Sequence, residues 1–115
     1  MRVILDSNVL VAALIAPTGP PHQLFEAFLG DRFTLITGDM QVEEFSRVTR
    51  YPAIRSRIHP AQAGRMLNAI RSLAVNIENP PTQSISRDPH DDYLFALAQA
   101  GAADYLVTGD KADVL

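Results

Sequence analysis

Cysteine is absent from this sequence of 115 residues. Its absence excludes disulfide bonds, thiolate zinc sites and cysteine nucleophiles, so any bound metal must sit on oxygen or imidazole ligands. The three histidines show no spacing typical of metal ligands, and we assign no role to His22, His59 or His90. A metal site in this chain is therefore predicted to consist of oxygen ligands.

Long apolar runs are absent as well. The longest, Val9 to Ala16, is much shorter than the about 20 residues that cross a membrane. Asp6 interrupts the first apolar segment too early for a signal peptide. Together with the lack of cysteine, this favours a cytoplasmic protein with no membrane partner.

Repeats, linkers and low-complexity segments are also missing. Apolar residues make up 47% of the chain and charged residues 20%, which is ordinary for a compact domain with its own core. We therefore predict a single domain over residues 1–115.

Acidic residues are absent from Phe45 to Ile77, although the whole chain has a net charge of -3. This segment contains six arginines, which are Arg47, Arg50, Arg55, Arg57, Arg65 and Arg71. For any one of them, a solvated helix face is at least as good an explanation as a function. As a group they can meet the phosphates of a nucleic acid.

Short apolar segments alternate with helical patterns along the chain. The apolar segments, which have the form of buried strands, cover residues 3–5, 34–36, 74–77 and 105–107. Helical patterns begin at Pro20, Asp39, Pro60 and Pro89, and glycines follow the first and the last of them. This alternation predicts an α/β sandwich around a parallel sheet.

Two acids directly follow predicted strands. Asp6 comes after Val3 to Leu5, and Asp110 lies just beyond Tyr105 to Val107. The carboxyl ends of strands are where open parallel sheets bind ligands. Asp6 would also serve well as a helix N-cap, and a turn at Gly109-Asp110 would explain the second acid. Two such acids in one small sheet favour a shared site.

A helical angle separates Glu43 from Glu44. At 100° per residue, Glu43 lies about 160° and Glu44 about 100° from the apolar stripe centred on Phe45. We expect Glu43 to point to solvent and Glu44 to reach the sheet.

Part of the segment from Arg87 to Asp92 is explained as the start of a helix. Asp88 is the predicted N-cap, Pro89 the first helical residue and Asp91 an acid in the first turn. Asp92 is not needed for this cap. Since an unpaired carboxylate facing the core is costly, we expect Asp92 to bind a cation.

Four segments in order resemble the PIN-domain family: Val3 to Leu10, Val42 to Val48, Arg87 to Ala98, and Asp104 to Lys111. The match covers the whole chain and is most similar to the toxin ribonucleases of prokaryotic toxin-antitoxin systems, the VapC type. The resemblance implies a three-layer α/β/α sandwich with a central parallel sheet. Family members usually continue past the fourth acid into a strand and a helix. This chain stops at Leu115, so we expect it to lack them and to expose the edge at Tyr105.

The resemblance also implies a metal-dependent ribonuclease that uses Mg²⁺ or Mn²⁺. By position, the catalytic and metal-binding acids are Asp6, Glu44, Asp92 and Asp110. Residues that line the site are Asn8, Thr108 and Asp113, with Asp91 as a less certain neighbour. Candidate RNA contacts are Arg47, Arg50, Arg55 and Arg57. The implied partners are an RNA substrate, a cognate antitoxin protein and a second copy of the chain in a homodimer.

Two other functions remain open. The first is a non-catalytic or vestigial module that keeps the PIN scaffold and binds RNA or protein. The second is a phosphatase-like enzyme with Asp6 as its nucleophile, which is disfavoured because such enzymes typically carry a second Asp where this chain has Asn8.

Overall fold

The computed structural model describes residues 1–81 and 89–108. Its strands are β1 (Arg2–Leu5), β2 (Thr34–Thr37), β3 (Val75–Asn76) and β4 (Tyr105–Val107). Its helices are α1 (Ser7–Ile15), α2 (Pro20–Leu29), α3 (Asp39–Val48), α4 (Pro52–Arg55), α5 (Pro60–Leu73) and α6 (Pro89–Ala100). No helix in these two ranges is long and apolar enough to cross a membrane.

The strands form one parallel sheet in the order β3-β2-β1-β4. In its register, Val3 lies opposite both Leu35 and Tyr105, and Leu5 lies opposite Val107. Because the strands are parallel, β1, β2 and β4 all end on the same side of the sheet. We call this side, just beyond Leu5, Thr37 and Val107, the carboxyl edge.

Side chains that alternate along the strands feed two separate hydrophobic layers. Val3, Leu5 and Leu35 point to one face, where they pack with apolar residues of α1, α2, α3 and α5. Ile4, Ile36 and Leu106 point to the other face and pack against α6. The predicted α/β/α sandwich is confirmed.

The predicted helices at Pro20, Asp39, Pro60 and Pro89 are all present. Two helices of the described residues were not among these predicted patterns. For α1, only the capping interpretation of Asp6 pointed to a helix. Helix α4, with four residues, is too short to show a periodic pattern.

One strand differs from the prediction. Strand β3 contains only Val75 and Asn76, and both are exposed, so the expectation that every strand is buried on both faces is wrong here. It is the outermost strand on one side of the described sheet, where it has a neighbouring strand on one side only. Strand β4 is the outermost strand on the other side of the described sheet, and the side chain of its Tyr105 is 51% exposed. The predicted lack of a further strand and helix concerns residues outside the described ranges.

Candidate functional site

Asp6 lies at the carboxyl edge, where β1 passes directly into α1. Its backbone N–H donates to the Val107 carbonyl oxygen at 2.9 Å, and its side chain is only 4% exposed. One carboxylate oxygen accepts a hydrogen bond from the Asn8 backbone N–H at 3.4 Å, so Asp6 caps α1. The capping prediction is confirmed. The same geometry holds the carboxylate at the strand end where a ligand is expected.

Thr108 follows β4 and is half-buried. The bond from Asp6 to Val107 brings it next to Asp6 along the edge. Asn8, by contrast, has an exposed side chain. Asp110 and Asp113, the other acids predicted near this edge, lie outside the described residues, as does the predicted cap Asp88.

Asp91 and Asp92 stand in the first turn of α6 and differ in burial. Asp92 is 5% exposed, whereas Asp91 is exposed. The structure therefore turns Asp92 inward and Asp91 outward. Asp92 takes part in an interaction within the protein, so its burial does not by itself require a cation.

The two glutamates of α3 are oriented as the helical angle predicts. Glu43 is exposed and Glu44 is half-buried, while their neighbour Phe45 is fully buried. Asp6, Glu44 and Thr108 each also take part in interactions within the chain.

A buried glutamine, Gln41, joins α3 to two strands. Its side-chain amide nitrogen donates to the carbonyl oxygen of Leu5, the residue before Asp6. Its amide oxygen accepts from the Thr37 hydroxyl at 2.7 Å. The Leu5 carbonyl can only accept, so the amide nitrogen must face it, and the amide oxygen is left for Thr37. Gln41 is 3% exposed and Thr37 is 4% exposed, and the hydrogen bond between them gives both buried side chains a partner.

Tyr93 joins α6 to the start of α3. Its hydroxyl lies against Gly38, so a Cβ on this glycine would overlap it. Burial raises the pKa of Tyr93 above its ordinary value. The nearby backbone N–H groups of Met40 and Gln41 lower this pKa, and the nearby carboxylates of Asp39 and Glu43 raise it.

Ser7, the residue after Asp6, has a buried hydroxyl. Its side chain is 2% exposed, and the oxygen has no hydrogen-bond partner among the residues that the structure describes. Buried hydroxyls are nearly always paired, so an orphaned one at the carboxyl edge is consistent with a ligand or water at that position.

Sequence reasoning missed Ser7, Thr37, Gln41 and Tyr93. One signal was available: Thr37-Gly38-Asp39, at the end of β2, repeats the sequence pattern of Thr108-Gly109-Asp110. The repeat could have drawn attention to Thr37 as a polar residue at the end of a strand. No comparable pattern pointed to Tyr93.

The side chains of Asp6, Asp92, Glu44 and Thr108 offer only oxygen atoms, the ligands that hard cations such as Mg²⁺ prefer. Within residues 1–81 and 89–108, however, no three acidic or histidine side chains come together as a complete metal site.

The predicted arginine contacts do not share one surface. Arg50 and Arg55 line a cleft of about 170 Å³ between the end of α3, α4 and the start of α5, and no acidic residue lines it. Arg57 instead lines a cavity of about 600 Å³ between α2 and α5, together with Arg65 and Glu26. Arg47 is exposed near the end of α3.

Comparison with known proteins identifies the class. A PIN domain family model matches residues 2–112. The chain therefore belongs to the PIN domain family, whose members are generally nucleases. An uncharacterized protein of Methanocaldococcus jannaschii is 27% identical over 113 residues, which cover 96% of this chain and 72% of that protein. No solved structure gives a significant match.

Proposed function

We propose that this PIN domain is a divalent-metal-dependent endoribonuclease and the toxin of a toxin-antitoxin pair. The observation that carries the nuclease proposal is a pair of almost fully buried carboxylates, Asp6 on β1–α1 and Asp92 on α6, in a domain of a nuclease family. Burying two charges is costly unless their surroundings, or a ligand, offset that cost.

Mg²⁺ or Mn²⁺ is the cation that the donors favour. Asp6, Asp92 and Asp110 would hold it, with Glu44 binding directly or through water. Hard oxygen ligands and the absence of thiolates suit both ions. A bound ion supplies positive charge at the phosphate and makes a water molecule a better nucleophile.

Other groups of the chain would orient the Asp6 carboxylate and the substrate phosphate. The Asn8 backbone N–H holds the Asp6 carboxylate in one position at the start of α1. The Ser7 hydroxyl can bind a water molecule or a phosphate oxygen next to it. Thr108 offers a second hydroxyl on the adjacent strand end. These groups would place the substrate phosphate at the carboxyl edge.

RNA would extend from this edge over the segment that contains no acidic residue. Arg50 and Arg55, in their shared cleft, are the strongest candidates for phosphate contacts because no carboxylate lines that cleft to neutralise them. Arg47 and Arg57 would add contacts on either side.

A test of the nuclease proposal uses the full chain and a fluorescently labelled single-stranded RNA. Cleavage is expected with Mn²⁺ or Mg²⁺ and not with EDTA. Asp6→Asn and Asp92→Asn should each lower kcat/KM at least about 100-fold, as expected for groups that hold an essential ion.

Neighbouring residues supply matched controls. Asp91→Asn removes one carboxylate charge, as Asp92→Asn does, but from an exposed position. In the same way, Glu43→Gln at an exposed position is the control for Glu44→Gln. The controls should cleave at the parent rate. If both variants of a pair behaved alike, the assignment of the buried members would be wrong.

One observation favours a different function, a non-catalytic module that binds RNA or protein. The described residues contain no complete group of three acidic ligands. Calorimetric titration with Mn²⁺ separates the two: a vestigial site should bind no ion tightly, whereas a nuclease should bind at least one.

The toxin proposal makes its own prediction. A cognate antitoxin protein should bind the chain and inhibit cleavage, and the chain alone should sediment as a homodimer. Expression of the chain should arrest growth, and Asp92→Asn should relieve the arrest. Growth arrest that persists in Asp92→Asn would argue against nuclease toxicity.

A further inference from the structure

A cavity of about 600 Å³ lies between the end of α1, α2 and the first half of α5. Its volume falls within the range of about 300–1,000 Å³ that is typical of small-molecule sites. Asp6, Glu44 and Asp92 do not line it, and Asp6 lies at the other end of α1. The cavity is therefore separate from the proposed active site.

The helices around this cavity pack on different neighbours. Helix α2 packs on α1, whereas α5 packs on α3 and β2. The residues that α1 and α5 turn to the cavity include Ala13 and Ala69, whose small side chains leave room between the helices.

The inner wall of the cavity is apolar. Phe25 on α2 and Met66 on α5 are buried there beside Ala13. Leu29 also lines the cavity and is 44% exposed, so part of this apolar wall is open to water. Covering such surface is favourable, and the wall therefore suits an apolar group of a ligand.

Two arginines give the cavity an excess of positive charge. Arg57 lies just before α5 and Arg65 lies on it, and both are exposed. Neither guanidinium group forms an ion pair with a carboxylate of the described residues. Glu26, the acid among the described lining residues, instead lies 3.2 Å from His22 Nε2. The arginines are therefore available to an anion.

We propose that this cavity binds an anionic amphiphile, a small molecule with an apolar tail and a carboxylate head. The tail lies against Phe25 and Met66, and the head meets Arg57 and Arg65, whose planar guanidinium groups match a carboxylate. This binding site does not rest on the proposed nuclease activity, because neither the metal ion nor RNA takes part in it.

Methionine NMR of the parent protein locates the ligand. The chain has three methionines: Met66 lines the cavity, whereas Met1 and Met40 are exposed elsewhere. In protein labelled with ¹³C at the methionine methyl groups, titration with decanoate in EDTA should shift the Met66 signal and leave the other two in place. Met66→Leu assigns the signal. If decanoate below its micelle concentration did not shift the Met66 signal, the proposal would be overturned, and side chains of a protein partner would be the better occupants.

Ligands that differ in one part test the tail and the head separately. Octanoate should bind roughly 10-fold more weakly than decanoate, because it buries two fewer methylene groups. Decanol and decylammonium keep the tail of decanoate and change its head, so decanol should bind more weakly than decanoate and decylammonium more weakly still. Equal affinity for decanoate and decylammonium would show that the arginines do not select the ligand.

Variants of the arginines complete the test. Arg57→Gln and Arg65→Gln should each weaken decanoate binding about 2- to 5-fold by calorimetry, the effect expected for exposed ion pairs, and should leave decanol binding unchanged. Arg71→Gln is the matched control, because it removes the same charge from α5 at a position that does not line this cavity. It should bind decanoate like the parent. If all three variants lost the same affinity, the total charge of the chain would explain the effect, and the assignment of the head to Arg57 and Arg65 would be wrong.

Discussion

Gly38 and Tyr93 fit each other closely: the hydroxyl of the tyrosine occupies the space that any Cβ at the glycine would need. This contact joins the residue after β2 to the start of α6. A substitution of either residue should therefore affect how the two elements pack. The contribution of this contact to stability can be measured by comparison with a second glycine, Gly64, which has open space around it.

We expect Gly38→Ala to destabilise the protein by about 1–3 kcal/mol, the range for forcing an extra methyl into a packed site. Gly64→Ala should instead stabilise it by about 0.5–1 kcal/mol. Gly64 lies inside α5, where an added Cβ meets no atom within 4 Å and alanine is the better helix former. Urea unfolding of both variants checks the pair. Equal effects at the two positions would show that Tyr93 does not fill the space at Gly38.

The raised pKa of Tyr93 predicts weaker folding in alkaline solution. Unfolded tyrosine loses its proton near pH 10, whereas burial keeps the folded side chain protonated to higher pH. The unfolded state then binds fewer protons, so the free energy of unfolding falls as pH rises above 10. Below pH 10 this contribution to stability is fully present.

Urea unfolding between pH 9 and 11 in EDTA measures this loss. The free energy of unfolding should fall with rising pH across this range, and the fall should be smaller in Tyr93→Phe. Tyr51→Phe, at an exposed position, is the control and should keep the parent slope. A Tyr93→Phe protein with the parent slope would show that another group causes the alkaline loss.

The features that sequence could predict here are those that neighbouring residues determine. Proline and glycine mark the limits of α2, and proline marks the start of α6. The difference between Glu43 and Glu44 follows from helical geometry alone. Asp6 follows from its place at the end of an apolar strand. In each case the relevant neighbours lie within a few residues.

The contacts between distant elements could not be predicted in the same way. Tyr93 meets Gly38, and Gln41 meets Leu5, only after α6 and α3 have packed on the sheet. Neither pair has a local pattern, since tyrosine in an apolar helix and glutamine in a helix are both common. Strand β3 was misjudged for the same reason, because its place at the edge depends on strand order.

Ser7 should affect stability and activity in opposite directions. Its buried hydroxyl has no partner in the described residues, so Ser7→Ala should stabilise the metal-free protein, by up to about 1–3 kcal/mol. If that hydroxyl binds a water molecule or the substrate, the same change should lower the rate of RNA cleavage. Ser72→Ala, exposed on α5, corrects for the helix propensity of alanine. A Ser7→Ala protein that is less stable than the parent would contradict the prediction.

Two substitutions of Asp6 separate its role as the N-cap of α1 from the role of its negative charge. Asparagine caps helices about as well as aspartate, so Asp6→Asn should keep the stability of the metal-free protein to within roughly 0.5 kcal/mol. Asp6→Ala should cost about 0.5–2 kcal/mol because the bond from Asn8 is lost. Urea unfolding in EDTA measures both values.

Addition of Mn²⁺ then tests whether the negative charge of Asp6 contributes to ion binding. An ion that binds only the folded protein stabilises it by about 2.7 kcal/mol at 100 times its Kd. The parent should gain this stability, and Asp6→Asn should gain much less. An equal gain in the two proteins would remove Asp6 from the proposed ligands.

RNA binding should depend on salt through the arginines of the acid-free segment. Each phosphate contact with single-stranded RNA contributes about 0.7 to the slope of log K against log salt concentration. Arg50→Gln and Arg55→Gln should each weaken binding and reduce this slope by about that amount, because their shared cleft contains no carboxylate. The binding curves can be measured by fluorescence anisotropy with Asp92→Asn as background, so that the RNA stays intact.

Arg71→Gln is the matched control for this salt dependence. Arg71 lines a different cleft together with the acidic residues Asp39 and Glu43, so a phosphate there would also meet carboxylates. Its substitution should leave the slope within error of the parent. If Arg71→Gln reduced the slope as much as Arg50→Gln did, RNA binding would follow the total charge of the chain, and the cleft between α3 and α5 would have no special part in it.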